Sequence, residues 1–334
     1  MRFGLALPHY GFSFPDGEIS FERMAGVAKR AEDLGFDSLW VSDHFLYTFE
    51  RYGLPPDPIA ALEPMTALAG LAAVTERVRL GSLVLGAPFR HPSILAKMAA
   101  SIDSASGGRL ELGIGAGWLA REFEAFGYPF GTARERFSHL EDVLRVLTAF
   151  EEDRPATLDA GPFSLRDARL IPPPAQRPRV PIWLGSKGGA RSLAMAARYA
   201  DGWNTVWRWS PRAYGALARA ADEACERAGR DPASLRRSVG LYSLVGDARA
   251  SFVEVFERGR SAMPGGAMDD ETVETWLADT LSGTPEQVAE RVEAFASMGV
   301  EELIVSPWVL PFALIEPEQL ERFAELVIRP SRPR

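Results

Sequence analysis

PIWLGSKGGARSLAMAARYADGWNTV, residues 181–206, reads as strand, turn, helix and strand in a single pass. The apolar run 181–185 leads through Ser186, Lys187, Gly188 and Gly189 into a helix, and a second run follows at 202–206. Two strands joined by a helix pair in parallel through a right-handed crossover, so this stretch is one βαβ unit.

Working outward, the same alternation recurs. RFGLALP at 2–8 is followed by a helical pattern from Ser20 to Leu34, with Phe21, Met24, Val27, Ala28 and Ala31 at helical spacing. Ser20 is placed to cap that helix and Gly35 to stop it. Further strands are expected at 38–42, 78–85, 109–115, 239–245 and 302–306, which brings the count to eight. Eight parallel units point to a closed (β/α)8 TIM barrel rather than an open sheet. Its length of 334 residues is compatible with one domain, 1–334, carrying insertions near 151–180 and 247–283. The second insertion contains PGGAMDD, whose PGG centre is a candidate lid, and helix resumes at Thr284, Pro285 and Gln287 with capping-box order.

Composition narrows the function classes. The chain is 46% apolar and 25% charged, with formal net charge −8 and pI near 5.3. That balance disfavours nucleic acid and anionic membrane as general partners and favours a small-molecule substrate. One cysteine, Cys225, allows neither an internal disulfide nor a cysteine metal cluster. No apolar run of about 18 residues and no signal-like amino terminus is present, so a cytoplasmic protein is expected. Lysine is nearly avoided: Lys29, Lys97 and Lys187 are the three among 37 Lys and Arg.

In a barrel of this kind, chemistry sits where strands end. His9 follows the first strand, Asp43 and His44 the second, and His91 the third. Histidine suits proton transfer near neutral pH, although His9 and His91 read equally as loop-orienting residues. GIGAGW places Gly113, Gly115 and Gly117 at a strand end, either for close approach of a flat ligand or for tight packing. The segment Gly185, Ser186, Lys187, Gly188 and Gly189 at a helix amino terminus reads as a phosphate cradle. Trp118, Trp207 and Trp308 lie at or just after strand ends and offer an aromatic mouth. No metal-ligand spacing and no nucleophile elbow appears, so no metal is expected.

The segments GFDSLWVSDHF, RVRLGSLVLGAPFRHPSILAKM, GRLELGIGAGW, PIWLGSKGGARSLAMAARYADGW and TPEQVAERVEAFASMGVEELIV together resemble the bacterial luciferase-like superfamily along nearly the whole chain. Within it, the wording is most similar to the branch using the deazaflavin coenzyme F420, with flavin mononucleotide (FMN) as the alternative. The resemblance implies Asp43 against the deazaflavin ring and His44 as proton donor or positioning group. It implies a non-proline cis bond within Ser82, Leu83 and Val84, at Leu83–Val84, and it puts Ala116 and Gly117 against the coenzyme and 185–189 at its phosphate. His9, Trp118 and Trp207 would line the substrate pocket.

One departure stands out. Sugar-phosphate dehydrogenases of this branch carry a glutamate where this chain has Trp118, and their phosphate-binding lysines have no evident counterpart, which implies a less polar substrate. The implied function is hydride transfer between F420 and a small organic substrate. A monooxygenase using reduced FMN and oxygen is the alternative, and a non-catalytic flavin-binding protein a third reading. A reductase supplying reduced coenzyme and a homodimeric state are the partner expectations.

Overall fold

The computed structural model describes residues 1–150 and 154–332. Its strands are β1 (Arg2–Ala6), β2 (Ser38–Val41), β3 (Arg79–Ser82), β4 (Leu85–Gly86), β5 (Leu110–Gly115), β6 (Ala156–Ala160), β7 (Phe163–Ala168), β8 (Ile182–Gly185), β9 (Gly202–Trp207), β10 (Arg236–Tyr242) and β11 (Glu302–Ser306). The helices are α1 (Phe21–Leu34), α2 (Pro64–Val74), α3 (Pro92–Ala105), α4 (Ala120–Ala125), α5 (Ala133–Ala149), α6 (Ala190–Tyr199), α7 (Pro211–Arg227), α8 (Arg249–Ala262), α9 (Val273–Asp279), α10 (Pro285–Ala296) and α11 (Glu318–Phe323).

All strands but β6 and β7 form one parallel sheet, and the β3–β5 pairing, Leu80 with Leu110 and Gly81 with Glu111, closes it. β3 and β4 are two halves of one stave, interrupted at Leu83–Val84, so the closed structure is an eight-strand barrel. Helices cover the outside and bury a continuous apolar layer that includes Leu5, Leu39, Leu80, Leu112, Leu184, Val239 and Leu303.

Local signals explain the units. Ser20 Oγ accepts the Arg23 N–H at 3.2 Å, and Gly35 ends α1 with φ 94°, a conformation open to glycine without steric cost. Gln287 reaches back to accept the Thr284 N–H at 3.0 Å at the start of α10. The strand expected at 239–245 instead begins at Arg236. Charge did not exclude its first residues, because Arg236 reaches Glu111 and Glu301 and Arg237 reaches Asp222.

The amino end of the barrel is plugged, which leaves the carboxyl end for a site. Trp40 and Trp183 meet edge-on inside it at 6.0 Å, each over a glycine of a neighbouring strand, Gly81 and Gly202. Beneath them Glu111 accepts from Arg79 Nε at 2.5 Å and Trp183 Nε1 at 2.7 Å. Glu302 is bonded by Ser38 and Trp40, and burial raises its carboxyl pKa.

Of the insertion expected at 151–180, residues 151–153 lie outside the described residues; the rest carries the β6–β7 hairpin and an irregular stretch. The second, 247–283, holds α8 and α9. Phe252, Val255, Phe256 and Trp276 from these helices form an apolar cluster with Tyr242, Trp308, Val309 and Leu310. The PGG centre is a tight turn, Pro264–Gly266, with Gly265 against Tyr52 and Leu54. No helix among the described residues is long and apolar enough to cross a membrane.

Candidate active site at the carboxyl end of the barrel

β1 and β2 run side by side, so the residues that follow them meet. His9 is buried. Its Nδ1 lies 2.7 Å from Leu7 O, and its Nε2 accepts the Ser42 N–H at 3.2 Å, so the proton resides on Nδ1. Ser42 Oγ lies 3.1 Å from the same Nε2 and is in turn hydrogen-bonded to Tyr10 Oη. Burial lowers the His9 pKa to about 4, against the opposing hydrogen bond to Leu7 O, and raises that of Tyr10 well above the phenol range. His9 is therefore a neutral, fully engaged group that orients Ser42 and Tyr10 rather than a free base lining the substrate pocket.

His44 is differently placed. Its Nδ1 lies 3.0 Å from Glu122 Oε1, and the second oxygen of Glu122 accepts the Phe45 N–H at 3.1 Å. The carboxylate acceptor directs Nδ1–H toward itself and leaves Nε2 for a ligand. α4 brings Glu122 there, one turn after β5 delivers Trp118. The Trp118 indole is 48% exposed and meets the His44 ring edge-on at 5.6 Å. Tyr10 and Tyr47 flank the same imidazole at 6.2 and 5.5 Å.

Asp43, expected to face a coenzyme ring, is enclosed by protein. Arg90 Nη1 and Nη2 donate to its two oxygens at 2.5 and 3.0 Å, and the Gly86 N–H donates at 2.9 Å. Arg90 also pairs with Glu63, the cap of α2. Buried, paired and hydrogen-bonded, the Asp43 carboxylate anchors β4 and the start of α3 to the end of β2.

The Leu83–Val84 peptide is cis, at the bond the sequence resemblance implied. Ser82 does not face outward: its Oγ donates to Gly113 O at 2.8 Å and accepts the Gly113 N–H at 2.9 Å. Val84 is seated among glycines. A Cβ on Gly115 would stand 2.8 Å from Val84 Cγ2, and one on Gly185 would stand 2.6 Å from Val84 Cγ1. A Cβ on Gly113 would meet Ser82 O at 1.9 Å, so these glycines first accommodate the protein's own chain. Gly117, at φ 76°, packs on Phe123, with the half-buried Ala116 before it.

In the 185–189 turn, Ser186 Oγ accepts from Trp203 Nε1 at 3.0 Å and from the Gly188 N–H at 3.3 Å. Lys187 Nζ donates to Val206 O and lies 5.5 Å from the Trp209 ring; burial and then Arg51 lower its pKa. Gly189 begins α6 without a side-chain cap, and a Cβ there would meet nothing nearer than Ser192 Oγ at 3.9 Å. The helix end is open to an anion.

Trp207 stacks on Tyr242 at 5.7 Å and meets Phe312 at 5.3 Å. Its peptide with Val206 is also cis. His91 lies elsewhere, capping α3 through Ser93 N–H and packing on Phe163 of the hairpin. Sequence reasoning missed Glu122, Arg90, Tyr10 and Ser42. A carboxylate four positions after Trp118 was a usable signal for Glu122. No group of three or more His, Cys, Asp and Glu side chains suited to a metal occurs among the described residues.

Comparisons with known proteins agree with this architecture. An F420-dependent glucose-6-phosphate dehydrogenase of Microbacterium testaceum is 32% identical over 66% of this chain and 63% of its own length, so the matched stretch spans under two thirds of that relative. Another of that name, from Kineococcus radiotolerans, is 27% identical over 84% of this chain and 86% of its own. The solved structure of an F420-dependent secondary alcohol dehydrogenase with an F420-acetone adduct superposes with TM-score 0.76 at 19% identity, covering 98% of each chain, a likeness of fold. The profile of the luciferase-like monooxygenase family matches residues 1–302, and the chain belongs to that family.

Proposed function

We propose that this protein is an oxidoreductase that uses the deazaflavin coenzyme F420 to move a hydride to or from a small organic substrate. The observation that carries the reading is His44, oriented by Glu122 at the open end of the barrel, with Trp118 against it and the Val84 bulge in the neighbouring stave. The relatives named as F420-dependent at 32% and 27% identity support the choice of coenzyme.

The residues present fit such a group. The uncapped amino end of α6, with Gly188 and Gly189 before it, offers backbone N–H groups to the coenzyme phosphate. Val84, fixed on its glycines, would back the ring, with Ala116 and Gly117 beside it. When bound, the coenzyme supplies the carbon that accepts or releases hydride. His44 Nε2 holds or takes the proton at a substrate oxygen, and Glu122 keeps the imidazole in the required tautomer. Asp43 positions the β4 segment through Gly86 and Arg90. The reading extends to a cytoplasmic homodimer, with a separate reductase supplying reduced coenzyme where the reaction consumes it.

The test is a titration of the protein with F420 and, in parallel, with oxidised and reduced FMN. F420 binding without comparable FMN binding is the expected result. Tight binding of reduced FMN alone, with oxygen uptake on adding organic substrates, would replace this reading with a flavin monooxygenase.

A further inference from the structure

Past β2 the chain carries Arg51 over the mouth of the barrel. Its Cζ lies 5.2 Å from the centre of the Tyr52 ring and 5.6 Å from that of Trp118. Trp118 meets His44 at 5.6 Å, so a single indole separates the guanidinium from the imidazole. The charged and polar groups that bear on Arg51 are the phenols of Tyr52, Tyr47 and Tyr242. The β8–α6 turn contributes Lys187, with its ammonium on Val206 O and the Trp209 ring.

Two cations therefore stand at the same end of the barrel, Arg51 over Trp118 and Lys187 at the end of β9, and neither forms an ion pair among the described residues. Other arginines at this end are neutralised: Arg90 by Asp43 and Glu63, Arg208 by Glu271 and Asp279. In a protein of net charge −8, a like-charged pair without a carboxylate is an arrangement that an anion would relieve. A guanidinium presents a planar fork to carboxylate or phosphate oxygens, and an ammonium adds a compact charge. The aromatic walls, Trp118, Tyr52 and Trp209, suit a flat or apolar body attached to that charge.

We propose that Arg51 and Lys187 form an anion clamp for the acid group of the substrate, which makes the substrate class a small organic acid or phosphate ester with an apolar or aromatic body. This rests on the reading of the carboxyl end as the site of an F420-dependent reaction. It revises the expectation of a less polar substrate, because a cationic pair is present, assembled from positions far apart in the chain. The clamp serves the substrate rather than the coenzyme's own anionic tail, since Arg51 stands beside Trp118 and His44, where the proton is handled, and Lys187 reaches Val206 O at the end of β9, which leaves the coenzyme phosphate of the 185–189 turn to the N–H groups at Gly188 and Gly189.

The experiment is calorimetric titration of F420-loaded protein with phenylacetate, phenyl phosphate and phenylacetamide. At least one acid is expected to bind about ten-fold or more tighter than the amide, the scale of one charge-assisted hydrogen bond. Arg51→Met should abolish that preference and Arg51→Lys retain part of it, with F420 affinity within about two-fold of the parent in both, because Arg51 touches no coenzyme group in this proposal. Equal binding of acids and amide, or a preference that survives Arg51→Met, overturns the clamp. Loss of F420 affinity in Arg51→Met, with the acid preference intact, assigns the cations to the coenzyme and also overturns it. If F420 fails to bind the parent protein, the coenzyme reading falls by itself, and the acid-against-amide comparison on coenzyme-free protein still decides the clamp.

Discussion

His44 has two ring nitrogens, and Glu122 takes one of them. Glu122→Gln keeps an acceptor but removes the charge that orients Nδ1–H, so turnover should fall by about 10- to 100-fold, at or below the low end of what general acid–base catalysis contributes, because His44 itself remains. F420 affinity should stay unchanged; an unaltered kcat would reduce Glu122 to a packing role. Glu122→Ala should further cost about 1–3 kcal/mol of stability, read by urea unfolding, because the Phe45 N–H loses its acceptor. His9 offers a pH test. Its folded pKa, about 4, lies below the ordinary 6.5, so its neutral form stabilises the fold above pH 6.5. That contribution is lost as pH falls through this window toward 4. Between pH 7 and pH 4.5 the parent should lose about 2–3 kcal/mol more stability than His9→Gln, by the linkage of pKa to folding.

At the scale of elements, β4, β5 and β8 are fitted to one another around one side chain. Val84 occupies the space a Cβ would take on Gly185, so each substitution alone is unfavourable. Gly185→Ala should cost about 1–3 kcal/mol through overpacking, and Val84→Ala a similar amount through a cavity. The double variant should be at least about 1 kcal/mol more stable than the sum of the two losses, because the new methyl fills the space the valine vacates. Simple additivity in urea unfolding would show that the two residues do not share that space.

For the molecule as a whole, Arg208 straps the segment from α8 to α9 to the end of β9. Arg208, directly after β9, donates to both oxygens of Glu271 at 3.0 and 3.1 Å and to Asp279 at 2.5 Å, with its guanidinium over Trp276. Arg208→Met removes the strap without entering the barrel wall. Amide exchange across α9 should accelerate by about ten-fold or more while exchange in β1, β10 and β11 stays as in the parent, the pattern of a local opening. Equal acceleration in the strands would mean that the segment and the barrel open as one unit.

The repeating strand and helix units, the Ser20 and Gly35 boundaries of α1 and the position of the Leu83–Val84 bond were legible in the sequence, and so was the gathering of His9, Asp43 and His44 at strand ends. Such signals lie in a few consecutive residues: periodicity, caps, turns and motif wording. The three-residue misplacement of β10 came from the same source, since local hydropathy could not foresee that distant carboxylates receive Arg236 and Arg237. What each site residue does was decided only by barrel closure. It brings Glu122 to His44 across 78 positions, Arg90 to Asp43 across 47 and Ser42 to Tyr10 across 32. Thus Asp43 became an anchor and His9 a neutral brace, because a buried polar side chain takes whichever partner the register of neighbouring strands sets beside it, and that register is a property of the closed sheet rather than of any one segment.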